Sequence, residues 1–466
     1  MKICHPVFSA PMLLLLGGCM TVGPDFKRPA VAVPEKFSSG GVSWSKAVIE
    51  KPAGTGEWWR VYRDPVLNGL VADAVRQNQS LEASAGRLRE AQALSRVARS
   101  RAFPAVDLNG GWDRSKSRPP VGDGGSAQIR STSELGLTFS YELDLWGKVR
   151  RQKESAQASE AAAALSYDAA ALSLSGETAS NYFALRSIDA ERAILRSTLD
   201  LRNEALQLLT RQRDAGAIGD LDVFRAETEM ANARGDLIAL EQNRGELLAA
   251  IALLTGRPAT GFQIAAVDEL ASPPNIPVDL PSAVVQRRPD IASALMDVVA
   301  ANAAIGVAQA AFYPSITLGA TGGFNSAGGA LLSANNRVWS LGPSLTLPIT
   351  GAGLLRAQRD AAIARQETAA AQYRQTVLTA FREVESALVG VSVLGRLETA
   401  RNEAANASNR TFNLSLDRYK AGLVNFLEVV DADRVRLEAR RQASRTRGER
   451  LAASVSLARA LGGPWR

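Results

Sequence analysis

Histidine, cysteine and long apolar runs are scarce in this 466-residue chain. It has one histidine, His5, and two cysteines, Cys4 and Cys19. All three fall within the first nineteen residues. The rest of the chain therefore cannot build a His/Cys metal site, a Ser-His-Asp triad or a cysteine nucleophile. Most hydrolase and metalloenzyme classes are excluded on that ground, and no cofactor is expected. No stretch reaches the ~18–20 consecutive apolar residues of a membrane-spanning helix, so a membrane crossing would have to use strands. Net charge is +7 and aromatics are 6% of residues. The basic residues are interleaved with acidic ones along helical stretches, as in 434–450, without aromatics between them. That pattern reads as a solvated helix face rather than a nucleic-acid surface.

Residues 1–18 read as a cleavable export signal. Lys2 gives a positive start, Val7 to Leu16 is a short apolar stretch, and Gly17 and Gly18 precede Cys19. The order Leu16-Gly17-Gly18-Cys19 resembles a bacterial lipobox, in which the cysteine becomes the acylated first residue. Cleavage there removes Cys4 and His5, leaving no partner for an intramolecular disulfide. Met20 stands where an aspartate would signal retention in the inner membrane, which points to the outer membrane.

The chain is also written twice. Ala102-Phe103-Pro104 recurs as Phe312-Tyr313-Pro314. Gly147 and Gly353, Gly216 and Gly422, and Leu221 and Leu427 are each 206 residues apart. Each copy opens with two alternating runs. In residues 131–146, Leu135, Leu137, Phe139, Tyr141, Leu143 and Leu145 share one face, opposite Thr138, Ser140, Glu142 and Asp144. Val106, Leu108 and Trp112 oppose Asp107, Asn109 and Asp113. Ile316, Leu318 and Phe324 oppose Ser315, Thr317 and Thr321, and Trp339, Leu341, Leu345, Leu347 and Ile349 oppose Ser340, Ser344 and Thr346. Each run has about the ~9–11 residues of a tilted membrane strand. Aromatics gather at both rims, namely Phe103, Tyr313 and Trp146, then Trp112, Phe324 and Trp339, as in a barrel girdle. Alternation alone equally allows a soluble sheet with one wet face; the export signal, the girdles and the polar loops 115–130 and 326–337 favour the barrel. Four strands cannot close, since the smallest such barrels have about eight, and three chains would supply twelve.

Proline-free helical runs follow, from Gly147 to about Arg213 and from Gly353 to about Tyr419, each able to extend roughly 100 Å at ~1.5 Å per residue. Shorter helices are expected at 81–101, 221–255, 291–311 and 426–461. The predicted fold is mainly α with membrane β: a trimeric 12-stranded barrel, four strands per chain, continued by a long periplasmic α-helical barrel. An isolated coiled-coil rod would not need the strands. The expected divisions are a signal at 1–18, a lipid-anchored extended segment and belt at 19–79, a first repeat at 80–256, a linker at 257–286 and a second repeat at 287–466. Trp58-Trp59 would staple the N-terminal segment onto the helices.

Several short motifs in this order resemble one family: Val22-Gly23-Pro24-Asp25-Phe26, Trp58-Trp59 with Asp64-Pro65-Val66-Leu67, Leu143-Asp144-Leu145-Trp146-Gly147, Arg287-Arg288-Pro289-Asp290-Ile291, and Ala460-Leu461-Gly462-Gly463. The chain is similar to the outer-membrane lipoprotein channels of tripartite efflux pumps, the NodT or OprM-like branch of the TolC superfamily. The resemblance implies a homotrimer anchored through Cys19 in outer-membrane lipid. It would work with a periplasmic adaptor and an inner-membrane pump of the RND type, passing drugs, metals or other small solutes outward without chemistry of its own. A type I secretion duct, or a trimeric surface adhesin, is the alternative. The resemblance places adaptor docking at the hairpin tips, Gly216, Ala217, Gly422 and Leu423. Tyr419 and Asp222 match latch positions, and Glu428 and Asp431 match acidic positions of the constriction, which threefold symmetry would turn into rings that favour cations. Where some relatives carry a basic latch residue this chain has Val424, leaving Arg418 as the candidate replacement.

Overall fold

A computed structural model describes residues 21–34, 37, 56–117, 127–274, 284 and 287–463. Cys19, the signal segment and much of the 115–130 loop lie outside the described residues. The chain divides into two compact units. Among the described residues, one comprises those of 1–29, 88–163 and 294–373, and the other those of 30–87, 164–293 and 374–466.

The elements are α1 (Pro65–Gln77), α2 (Gln79–Ser100), β1 (Ala105–Ser117), β2 (Gln128–Leu143), α3 (Lys148–Asp214) and α4 (Asp220–Leu254). In the second copy come α5 (Pro289–Ala310), β3 (Ser315–Ser326), β4 (Arg337–Thr346), α6 (Ala352–Lys420) and α7 (Phe426–Ala460). Two differences from expectation have local causes. Residues 65–77, expected within an extended segment, are helical: Pro65 sits at the first helical position and the Asp64 carboxylate accepts from the backbone N–H groups of Val66 and Leu67. Strand β4 stops at Thr346, so Leu347 and Ile349 lie beyond it; Pro348 between them has no N–H to give a ladder.

The first unit holds the sheet, an antiparallel meander in the order β1-β2-β3-β4. Its register puts Val106 beside Phe139, Phe139 beside Ala320 and Ala320 beside Leu341. Next to that row, Asp107, Thr138, Thr321 and Ser340 align. Polar side chains bond to one another across the strands: Asn109 Nδ2 donates to Thr138 Oγ1 at 2.9 Å, and the Thr321 and Ser340 hydroxyls lie 2.7 Å apart. The other face carries the apolar residues, among them Leu108, Trp112 and Trp339, 70%, 69% and 80% exposed. Gly136 and Gly323 pair across β2 and β3, where a Cβ on Gly323 would run into the Leu135 carbonyl and Gly136 Cα.

The end of β2 is tied to the start of α3 by the Asp144 carboxylate. It accepts from Val149 N at 2.8 Å and Arg150 N at 3.0 Å, two donors that the first turn would otherwise leave unpaired. Gly147 supplies the required positive φ of 76°. Trp146 stacks on Tyr313 with centroids 4.8 Å apart and donates its indole N–H to the Pro314 carbonyl at 2.8 Å.

The second unit packs an apolar core from α1, α3, α4, α6 and α7, in which Leu67, Val71, Leu185, Ile251, Val384 and Leu451 are fully buried. Trp58 and Trp59 are buried in it, and Trp58 Nε1 donates to Ser175 Oγ at 3.0 Å, as a staple would. The Tyr182 hydroxyl donates to Asp64 Oδ2 at 2.5 Å, tying the cap of α1 to α3. Carboxylates sunk among the helices are each gripped by several arginines. Asp189, with no exposed side-chain surface, is held by Arg186, Arg192 and Arg244. Glu191 takes Arg441 and Arg445, and Glu398 takes Arg447 and Arg450.

Candidate functional site

In the second unit, α3 and α4 form one helical hairpin, and α6 and α7 form the other. Both turn the same way. Gly216 and Gly422 adopt φ values of 72° and 74°, so each long helix ends on a left-handed residue. Ala217 N donates to the Gln212 carbonyl and Leu423 N to the Arg418 carbonyl, both at 2.9 Å, while Gly216 and Gly422 bond back to Arg213 and Tyr419. These are paired Schellman ends. The expected tip residues Gly216, Ala217, Gly422 and Leu423 all stand exposed at the turns. Leu221, Phe224 and Leu423 are large apolar side chains exposed there, at 61%, 57% and 70%.

Of the expected latch pair, Tyr419 joins the two hairpins. Its hydroxyl donates to Gln212 Oε1 on α3 at 3.2 Å, and its ring lies edge-on to Phe426 with centroids 5.6 Å apart. Burial and the negative charge of Asp222 push the Tyr419 phenol up, which keeps it a protonated donor. Asp222 itself pairs within its own helix, 3.6 Å from Arg225. Arg418, the candidate for the missing basic latch residue, points across its own turn. Its guanidinium bonds Glu428 at 3.3 Å across the turn of its own hairpin, where Ser415 Oγ also donates to the Glu428 carboxylate at 3.3 Å. Asp431 is exposed and lies 3.8 Å from Arg434.

About two to three turns from the tips, at 3.6 residues per turn, is a charged layer that the sequence reading did not single out. Arg202 on α3 donates through Nε to Asp433 on α7 at 2.8 Å and through Nη1 to the Glu229 carbonyl on α4 at 2.5 Å. The Glu229 carboxylate also takes Arg434, and Asp433 takes Arg436 at 2.7 Å. Arg436 lies over the Phe412 ring, 3.7 Å from its centroid, and burial pulls its guanidinium below its usual value despite Asp433. Arg202, Glu229, Asp433 and Arg436 are all buried. The signal for one of these contacts was present: folding α4 back on α3 about the 215–219 turn brings Arg202 level with Glu229. The contact to Asp433, 231 residues away, depends on how the hairpins are rotated about their axes, which no spacing encodes.

Comparison with known proteins agrees with this architecture. The family described as "Outer membrane efflux protein" matches twice, over residues 70–257 and 280–463. The chain is 33% identical to the pyoverdine export outer membrane protein OpmQ of Pseudomonas aeruginosa, covering 98% of each. It is likewise 33% identical to nodulation protein T of Rhizobium leguminosarum bv. trifolii, covering 92% of this chain and 90% of that one. Among solved structures, the outer-membrane channel OprN superposes with a TM-score of 0.87 at 30% identity, over 95% of this chain and 99% of that one. The open state of the MtrE channel of Neisseria gonorrhoeae gives 0.80 at 29%, over 95% and 98%. With both repeats matched and nearly the whole length aligned, the chain belongs to the outer membrane efflux protein family.

Proposed function

We propose that the two hairpin tips form the gate of a passive exit duct, and that this chain is one third of that duct. Three copies place twelve strands in the outer membrane, each sheet closing on the next through its free β1 and β4 edges, and the helices line the periplasmic passage. Each repeat, 80–256 and 287–466, contributes two strands and one hairpin. Cys19 anchors the chain in the outer-membrane leaflet. A periplasmic adaptor docks on the exposed turns around Gly216, Ala217, Gly422 and Leu423, and an inner-membrane pump supplies the energy. The solutes are small molecules, and the chain performs no bond chemistry on them. Carboxylates of Glu428 and Asp431, repeated three times around the passage, favour cations, a pull that Arg418 and Arg434 beside them partly offset.

The observation that carries the gate reading is the Tyr419 to Gln212 hydrogen bond between hairpins. A passage that widens by parting the hairpins must break it. The mature chain has no cysteine besides Cys19, so the test can be made without removing native thiols. Gln212 and Tyr419 are both replaced by cysteine and joined by a short bismaleimide. The linked protein should lose conductance in planar bilayers and recover it when a cleavable linker is cut. Equal conductance before and after linking overturns the reading.

A further inference from the structure

The second unit contains a cavity that none of these roles uses. It has a volume of 240 Å³ and lies among α3, α4, α6 and α7. Leu201, Leu209, Phe412, Phe426 and Val430 give it apolar walls, and Tyr419 is part of the same lining. Leu209 is 1% exposed, and Phe412, Phe426 and Val430 are buried with it in one apolar cluster.

The polar groups that border it already have partners. Arg202 is shared between Asp433 and Glu229, and those carboxylates also hold Arg436 and Arg434. The Tyr419 hydroxyl is bonded to Gln212. Glu204 and Lys420, the remaining charged neighbours, are exposed and stay hydrated. An ion entering this space would meet no unpaired countercharge, and its desolvation would go uncompensated. An apolar molecule would gain dispersion contacts that the empty walls lack. An enclosed apolar cavity of about 150 Å³ accepts benzene; this pocket of 240 Å³, open to solvent on one side, has room for a benzene ring with a substituent.

We infer that this cavity is a binding site for an uncharged monocyclic aromatic molecule. Bound there, the ring touches both hairpins and the Tyr419 wall, and so binds the arrangement in which the hairpins are joined. A ligand shifts such an equilibrium by its difference in affinity for the two states. Occupancy therefore holds the gate shut, a consequence that rests on the gate reading above, whereas binding itself does not.

The test uses crystals of the full-length trimer exposed to bromobenzene, whose bromine is located by anomalous scattering. Bromine density is expected among Leu209, Phe412 and Phe426 in the wild type. It should be lost in Ala226→Leu, which fills the cavity from α4, and in Ala205→Leu, which fills it from α3 and guards against misfolding of the first variant. No density in the wild type, or equal density in the wild type and a correctly folded filled variant, overturns the site. In bilayers, bromobenzene should lower wild-type open probability at least threefold while leaving the filled variants insensitive. Bromine seated in the cavity with unchanged wild-type conductance would uphold the site and overturn its coupling to the gate.

Discussion

Replacing Tyr419 by Phe removes one hydroxyl and keeps the ring against Phe426. The bond lost is the one donated to Gln212 Oε1 at 3.2 Å, between groups that are only partly buried. A hydrogen bond of that kind is worth about 1 kcal/mol net. One substituted copy should therefore raise the ratio of open to closed channels about fivefold, since 1.4 kcal/mol corresponds to a factor of ten. If all three tips release together, a fully substituted trimer loses about 3 kcal/mol and the ratio rises on the order of a hundredfold.

Single-channel recording in planar bilayers reads this directly, and trimers mixing wild-type and Tyr419→Phe chains give the intermediate steps. Gln212→Ala should produce a similar rise. The double variant should add little, because both changes break one interaction. Full additivity of the two, or an open probability within twofold of wild type in the Tyr419→Phe trimer, refutes the reasoning. The pH dependence has a definite sign as well. The phenol is raised in the joined state, so its contribution is fully present below the ordinary tyrosine value and lost as pH rises through the raised one. Opening through Tyr419 should thus begin only above about pH 10.

Glu191 should govern acid stability of the second unit. Burial works to raise its carboxyl, but the hydrogen bonds from Arg445 and Arg441 outweigh it and hold the group below its usual value. Its stabilisation is therefore present above the ordinary carboxylate pKa and lost as pH falls through the lowered one. Glu191→Gln should cost about 2 kcal/mol at neutral pH, a buried-pair penalty discounted for the exposed Arg445, and flatten the acid limb of a thermal-melt series; an unaltered acid limb counts against it. At the tips, Gly422→Ala places a side chain at φ 74° with open space around its Cβ. The expected cost is about 1 kcal/mol of backbone strain without a clash, read as faster amide exchange over 421–425, and Gly216→Ala should match it.

Much of the fold was legible because the chain punctuates itself. Gly216 and Gly422 end the long helices where the sequence places them, and the expected α3, α4, α6 and α7 agree with the observed ones to within one or two residues. The strand faces were legible because period two leaves only one partition of each run. Helix α1 was missed because Trp58-Trp59 and Pro65 read as linker. The informative pair was Asp64 followed by Pro65, an N-cap and a first helical position. At the site, the turn residues could be read but their partners could not. Gln212 and Asp433 become neighbours of Tyr419 and Arg202 only through the rotation of one hairpin against the other.

The duplication explains why the bond between hairpins exists at all. Positions 206 apart make Gln212 the counterpart of Arg418, and Asp222 the counterpart of Glu428. In the second copy the counterparts pair across their own turn, Arg418 to Glu428 at 3.3 Å. In the first copy a glutamine has no charge to offer Asp222, which turns to Arg225 instead. Gln212 is left with an acceptor facing outward from its hairpin, and Tyr419 donates to it. The asymmetry at one position thus converts an internal ion pair into a contact between repeats. Gln212→Arg should restore the internal pair with Asp222; with its guanidinium held there and carrying no acceptor, it leaves the Tyr419 hydroxyl nothing on α3 to donate to. The open to closed ratio should then rise at least as much as in Tyr419→Phe, and adding Tyr419→Phe to Gln212→Arg should change it no further. A Gln212→Arg channel that stays as closed as the wild type would show that the hairpins are held together by something other than this bond.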